Sequence, residues 1–164
     1  MSYKITTDST LSPPSANAMI SFMESFYQIS DNESQHAQYV ASFTPDATLI
    51  MGPKVANGAD GSPCLHLRPE KSMLMRHVLE ILNLRRGLWT HVASRKHSPQ
   101  KIYFGGEREL MLYGTVRYVL KAEPGREVEV PWAGRVVFDD DEGEGLRMKF
   151  YQVYLDTAAQ SGKK

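Results

Sequence analysis

The chain has 164 residues, of which 41% are hydrophobic and 23% charged, enough to bury a sizeable core. Lys+Arg and Asp+Glu both number 19, so no net field draws the chain to nucleic acid or to an anionic membrane. One cysteine, Cys64, excludes an internal disulfide framework and a cysteine-rich zinc site. There is no bilayer-length apolar run and no secretory signal, which predicts a soluble cytoplasmic protein with a single domain over 1–164.

The first half of the chain predicts helices. Ser12-Pro13-Pro14-Ser15 is a helix-start signal, and apolar residues recur from Met19 to Phe26 at three- and four-residue spacing. The pattern predicts that this first helix ends near Ser30-Asp31-Asn32 and that a shorter helix runs from Ser34 to Phe43, where Thr44-Pro45-Asp46 breaks it. A strand from Ala47 to Met51 and a loop from Gly52 to Leu67 are predicted next. The third predicted helix begins at Arg68-Pro69-Glu70 and ends at Arg85-Arg86-Gly87.

The second half predicts strands. Leu88 to Arg95 alternates as a strand does, and Ile102 to Phe104 continues it after a turn at His97-Ser98-Pro99. Glu109–Lys121, Glu127–Asp139 and Leu146–Asp156 then alternate with period 2 and are joined by short connections, which predicts an antiparallel meander.

Each meander strand carries one mainly apolar and one more polar face. The predicted apolar faces hold Leu110, Leu112, Val116, Tyr118 and Leu120, then Val128, Val130, Trp132, Val136 and Phe138, then Met148, Phe150 and Tyr154. The opposite face is predicted to gather Tyr113, Arg117, Arg135, Lys149 and Tyr151. A single bulge would exchange the two faces.

Helices gathered before an antiparallel sheet predict an α+β fold. Gly114 and Gly134, inside strands, are expected where the sheet bends. The apolar face of this sheet needs the preceding helices to cover it.

The pattern resembles the nuclear-transport-factor-2-like superfamily, whose fold is shared by SnoaL-like cyclases, ketosteroid isomerase and scytalone dehydratase. The residues that carry the resemblance are the aromatic helix Phe22–Ile29, the segment Phe43–Thr48 followed by Gly52, His91, and the ending Lys149–Asp156. It covers about residues 15–157. It implies a conical, curved mixed or antiparallel sheet wrapped around about three N-terminal helices, with a deep cavity inside.

Family residues carry over only in part. Where ketosteroid isomerases have a carboxylate base, this chain has Met51 and apolar neighbours, and their helix-one tyrosine falls near Met23. His91 fits the histidine that scytalone dehydratase has on the strand after the third helix. The second histidine of that enzyme is absent, since Tyr118 and Leu120 stand there, and its asparagine falls near Arg135.

Three groups of residues are candidates for function. His91 is the predicted general acid/base, with a hydrogen-bonded sheet histidine as the alternative. Tyr151 and Arg135 are predicted to polarise a substrate oxygen, with an exposed or dimer face as the alternative. An aromatic set is predicted to line an apolar pocket, with plain core as the alternative: Trp132, Tyr118, Tyr113, Tyr27, Phe26 and Met23.

The leading hypothesis is a cofactor-independent enzyme that isomerises, dehydrates, cyclises or rearranges a small, apolar, oxygenated, polyketide-like compound. The alternative is a noncatalytic ligand-binding or dimerising module of the same fold. The histidines lack metal spacing, so no metal is predicted, and His36 and His97 are expected at the surface. A partly apolar outer sheet face predicts a homodimer.

Overall fold

The computed structural model describes residues 4–7, 12–57, 69–139 and 145–160. The predictions for Cys64, for residues 58–67 of the predicted loop and for the short connection at 140–144 lie outside these residues. The elements are β1 (Thr6–Thr7), α1 (Ala16–Ser30), α2 (His36–Ala41), β2 (Phe43–Met51), β3 (Lys54–Asn57), α3 (Pro69–Trp89), β4 (Val92–Phe104), β5 (Glu109–Leu120), β6 (Glu127–Phe138), β7 (Met148–Leu155) and α4 (Thr157–Gln160).

One mixed sheet organises the fold. Its strand order is β1-β4-β5-β6-β7-β2-β3, in which six main strands are extended at one edge by the two-residue β1. β4 to β7 are antiparallel neighbours, whereas β2 lies parallel to β7 and β1 parallel to β4. The predicted α+β class and the predicted C-terminal meander are therefore confirmed.

The helix α1 supplies much of the core that covers the inner face of the sheet. Met19, Met23, Phe26 and Tyr27 are each at most 1% exposed, as their spacing predicts. Phe22 meets the ring of Phe138 edge-on, with 5.2 Å between centroids. Helix α2 is shorter than predicted, and its buried residue is Tyr39. Within the described residues, no helix has both the length and the hydropathy to cross a bilayer.

The strand β4 is continuous where the sequence predicts a turn. His97, Ser98 and Pro99 pair with Val116, Thr115 and Gly114 of β5. The register shifts between Pro99 and Lys101, and such an irregularity accommodates a proline, which has no N–H to donate to the ladder. The predicted turn is therefore wrong.

The predicted faces are confirmed on β5 and β6 but wrong on most of β7. The register shifts between Val137 and Phe138, at the start of the β6–β7 ladder. Beyond it Tyr151 and Val153 are buried, whereas Tyr154 is exposed. A bulge reverses the alternation of every residue that follows it. Tyr151 therefore lies on the inner face, not on the polar face predicted for it.

Two further elements differ from the prediction. β3 forms a hairpin with β2 inside the stretch predicted to be a loop. α3 continues through Gly87 to Trp89, which the sequence assigned to a strand.

Candidate active site

A cavity of about 310 Å³ lies between the inner face of the sheet and the helices. Its mouth carries the exposed residues Pro53, Lys54 and Thr157. Apolar side chains form much of its wall, its buried polar members are Ser30, Arg95 and Tyr151, and His97 is largely buried. The described residues that line it are Ser30, Met51, Pro53, Lys54, Leu88, Arg95, His97, Val116, Tyr118, Trp132, Tyr151, Val153, Leu155 and Thr157.

His97 and Asp31 form a tightly bonded pair at this cavity. His97 opposes Val116 on β5, and opposite residues of an antiparallel pair share a face, so its ring points inward. Asp31 follows the last residue of α1. Its Oδ1 is 2.5 Å from His97 Nδ1, and its Oδ2 accepts the His97 backbone N–H at 2.9 Å. The side chains are only 13% and 10% exposed.

The bond to Asp31 decides which nitrogen of His97 is available for chemistry. A neutral imidazole that donates Nδ1–H to a carboxylate keeps a lone pair on Nε2. Burial lowers the pKa of His97, although the hydrogen bond and the charge of Asp31 act in the opposite direction. The neutral form is thus favoured, and it is the form that accepts a proton.

Two phenols lie close to this pair. The hydroxyls of Tyr27 and Tyr151 are 3.2 Å apart, and the Tyr27 ring lies 5.0 Å from that of His97. Burial raises the pKa of both hydroxyls well above the ordinary value. Both therefore stay protonated, and the Tyr151 hydroxyl, which lines the cavity, can donate a hydrogen bond to an oxygen that gains negative charge.

Two buried arginines hold the C-terminal end of α1 in place. Arg85 donates to the carbonyls of Ser30, Ile29 and Asn32 at 2.7, 3.1 and 2.8 Å. Arg95 donates to the Ser30 carbonyl and also to its hydroxyl at 3.0 Å. Cations at a helix C-terminus satisfy its free carbonyls and its dipole. Since Asp31 follows directly, these contacts also position the partner of His97.

Known structures share this arrangement of strands and helices. An NTF2-like protein of unknown function from Burkholderia pseudomallei has a TM-score of 0.63 at 16% identity, over 88% of this chain and 94% of that one. Nuclear transport factor 2 from Cryptosporidium parvum has a TM-score of 0.63 at 10% identity, over 90% and 100%. A provisionally assigned polyketide cyclase from Bacillus cereus has 0.62 at 12% identity, over 99% and 92%.

The chain has the NTF2-like fold. No protein-family model and no curated protein matches its sequence. At these identities the similarity concerns the fold, which hosts enzymes and other proteins alike. The resemblance drawn from the sequence is thus confirmed at the level of the fold.

Within the NTF2-like fold, the three residues predicted to be catalytic are not brought together. Tyr151 lies in the cavity. Arg135 is on the outer face, where it bonds Glu109 at 2.7 Å and stacks on Phe150 at 5.1 Å. His91 is exposed just before β4 and is not part of the cavity lining. The predicted placement of His91 inside the cavity is therefore corrected.

The predicted aromatic set is also divided. Trp132 and Tyr118 line the cavity. Tyr27, Phe26 and Met23 are core residues that support it from α1. Tyr113 is 40% exposed on the outer face, where its ring stacks on Tyr103.

Sequence reasoning missed Asp31 and His97, the hydrogen-bonded carboxylate and imidazole at the cavity. His97 was expected at the surface, and that prediction is wrong. For Asp31 the sequence indicates only a place at the end of a helix. The one available signal was a polar residue directly after the buried stripe of α1, which does not reveal a partner 66 positions away. Among the described residues, no group of three or more His, Cys, Asp or Glu side chains is arranged to hold a metal ion.

Proposed function

We propose that this protein is a small-molecule enzyme that acts by proton transfer on an apolar, oxygenated ring compound of polyketide-like type. The observation that carries the proposal is the hydrogen-bonded pair of His97 and Asp31 at an otherwise largely apolar cavity. A buried base oriented by a carboxylate is the arrangement that general acid–base catalysis needs. Isomerisation, dehydration, cyclisation and rearrangement of such compounds can all begin with the transfer of a proton to such a base.

Five residues at the cavity have definite roles in the proposed reaction. His97 Nε2 removes a proton from a carbon next to a carbonyl group, and Asp31 stabilises the imidazolium that forms. The Tyr151 hydroxyl donates a hydrogen bond to the carbonyl oxygen as it becomes an enolate. Trp132 and Tyr118 form the walls against which a flat ring packs. His97 then returns the proton at another position, or to a leaving hydroxyl.

Proton exchange tests the proposal without knowledge of the natural substrate. The probe is 2-tetralone, a bicyclic ketone with acidic protons next to its carbonyl, incubated in deuterated water and followed by NMR. Protein-dependent exchange is the expected result. Exchange no faster than with heat-unfolded protein, for 2-tetralone and for a panel of related ring ketones, would favour the noncatalytic ligand-binding alternative.

The pH dependence of this exchange should reflect the environment of His97. Since burial lowers the His97 pKa, kcat/KM should stay constant as pH falls to about 6.5, where an ordinary imidazole is half protonated. It should decrease only at lower pH. Asp31→Asn removes the group that raises this pKa, so its acid limb should move to still lower pH. A wild-type midpoint above 6.5 would contradict the assignment of His97 as the base.

The outer face of the sheet favours a homodimer. Four side chains that cluster on it are at least 40% exposed: Tyr103, Met111, Tyr113 and Tyr154. Such a contiguous apolar patch is typical of an interface. We expect the double variant Met111→Glu/Tyr113→Glu to sediment as a monomer, while the wild type sediments as a dimer. Val55→Glu, at an exposed apolar site on β3, is the control and should leave the dimer intact. Cytoplasmic location and independence from cofactors stay predictions.

A further inference from the structure

The charges around the cavity are unbalanced. Among the described residues that line it, Arg95 and Lys54 are cationic, and none is an aspartate or a glutamate. Asp31 lies behind the lining, where it bonds His97 and lies 3.7 Å from Arg95 Nε. The Asp31 carboxylate is thus already engaged by His97 and Arg95, and both charged side chains of the described lining are cationic.

Not every N–H donor of Arg95 has a hydrogen-bond acceptor within the described residues. Its side chain is 5% exposed, and its Nη2 donates to the carbonyl and the hydroxyl of Ser30. Nε makes no hydrogen bond within the described residues. A guanidinium has five N–H donors in a planar fork that fits a carboxylate. A buried guanidinium with unused donors beside a cavity is therefore suited to an anionic oxygen.

Trp132 provides a second donor of the same kind. The residue is 5% exposed and lines the cavity, yet its Nε1 has no hydrogen-bond partner in the described part of the chain. Buried polar groups in folded proteins are usually paired. Arg95 and Trp132 thus each carry a donor without an acceptor among the described residues, and both side chains belong to the cavity wall.

We propose that the ligand of this cavity is an apolar ring compound that carries a carboxylate. Its carboxylate oxygens accept hydrogen bonds from Arg95, and the exposed ammonium of Lys54 at the mouth attracts the anion as it enters. The ring occupies the apolar space beside Trp132 and Tyr118. This inference rests on the proposed function and narrows its substrate class to aromatic or alicyclic acids.

The test compares two probes of nearly the same shape, anionic naphthalene-2-carboxylate and neutral naphthalene-2-carboxamide. Binding is measured by calorimetry and by tryptophan fluorescence, since Trp132 lines the cavity. The carboxylate is expected to bind about tenfold more tightly than the carboxamide. Lys54→Gln should weaken carboxylate binding roughly two- to fivefold, as an exposed charge does, and leave carboxamide binding unchanged. Arg95→Gln should remove the remaining preference.

Two controls keep the result interpretable. Lys96→Gln removes an exposed charge on β4 that does not line the cavity, and it should change neither affinity. Lys54 is exposed, so its variant stays informative if Arg95→Gln, which also loses the bonds to Ser30, fails to fold. Equal affinities of the two probes, or no saturable binding of either, would overturn the inference.

Binding needs no proton transfer, so this inference and the proposed function can fail separately. Charge-selective binding without proton exchange would overturn the proposed function and leave the anion site standing. Proton exchange without charge selectivity would overturn the anion site alone.

Discussion

Replacing His97 by asparagine should lower kcat/KM for proton exchange in 2-tetralone by about 10²–10⁴-fold, which is the usual contribution of a general base. Asparagine can still hydrogen-bond Asp31, but it cannot accept a proton. The apolar wall and the Tyr151 hydroxyl remain in place, so ligand binding should change much less than turnover. NMR exchange rates measured over a range of ketone concentrations separate kcat from KM.

The chain offers a matched control for this variant. His91→Asn makes the same substitution at an exposed histidine outside the cavity lining, and it should exchange protons at the wild-type rate. Thermal unfolding of both variants checks that the fold survives, and His97→Gln serves if the asparagine variant is unstable. Full activity in a folded His97 variant would remove the assignment, and loss of activity in His91→Asn would support the base predicted from the sequence.

Asp31→Asn should lower the same rate by a smaller factor, because Asp31 acts through His97. Asp31 is a positioning residue: its carboxylate selects the tautomer in which Nε2 is unprotonated. Its loss should therefore move the acid limb of the pH profile as well as the rate. A purely structural role would lower stability without moving that limb.

The sequence predicts well where alternation is uninterrupted. On β5 every second residue from Leu110 to Leu120 is buried, and β6 behaves alike from Val130 to Phe138, because period 2 is a direct consequence of strand geometry. At the start of β7 the register with β6 shifts between the pairs Phe138–Met148 and Val137–Phe150. This shift turns Tyr151 inward and Tyr154 outward. A bulge depends on the partner strand, so the alternation within β7 contains no sign of it.

The candidate site was predicted only in part for a related reason. Trp132 and Tyr118 belong to the two regular strands, and their inward position followed from the pattern. His97 stands next to Ser98 and Pro99, two residues that favour turns, and the structure instead accommodates the proline at an irregularity of β4. Its partner Asp31 comes from the end of a helix. Contacts across such a separation arise from tertiary packing, which local patterns do not encode.

That irregularity makes Gly114 the residue whose substitution should destabilise the fold most. A Cβ at Gly114 would lie 2.2 Å from the carbonyl oxygen of Ser98 and 2.9 Å from the Cα of Pro99. Both atoms belong to the backbone of β4, so no side-chain rotation relieves the overlap. Gly114→Ala should lower the free energy of unfolding by about 3 kcal/mol. Calorimetry should show a melting temperature lower by roughly 6–12 °C.

The same substitution at Gly87 should act in the opposite direction. Among the described residues beyond its own turn of helix, a Cβ there meets no atom within 4 Å, and Gly87 is helical within α3, so Gly87→Ala should raise stability by about 0.5–1 kcal/mol. If both variants shifted the melting temperature alike, the close approach of β4 to Gly114 would be refuted. The contrast also concerns function. Gly114 pairs with Pro99, two residues from His97, so strands forced apart there should displace the base and slow proton exchange at temperatures where the variant is still folded.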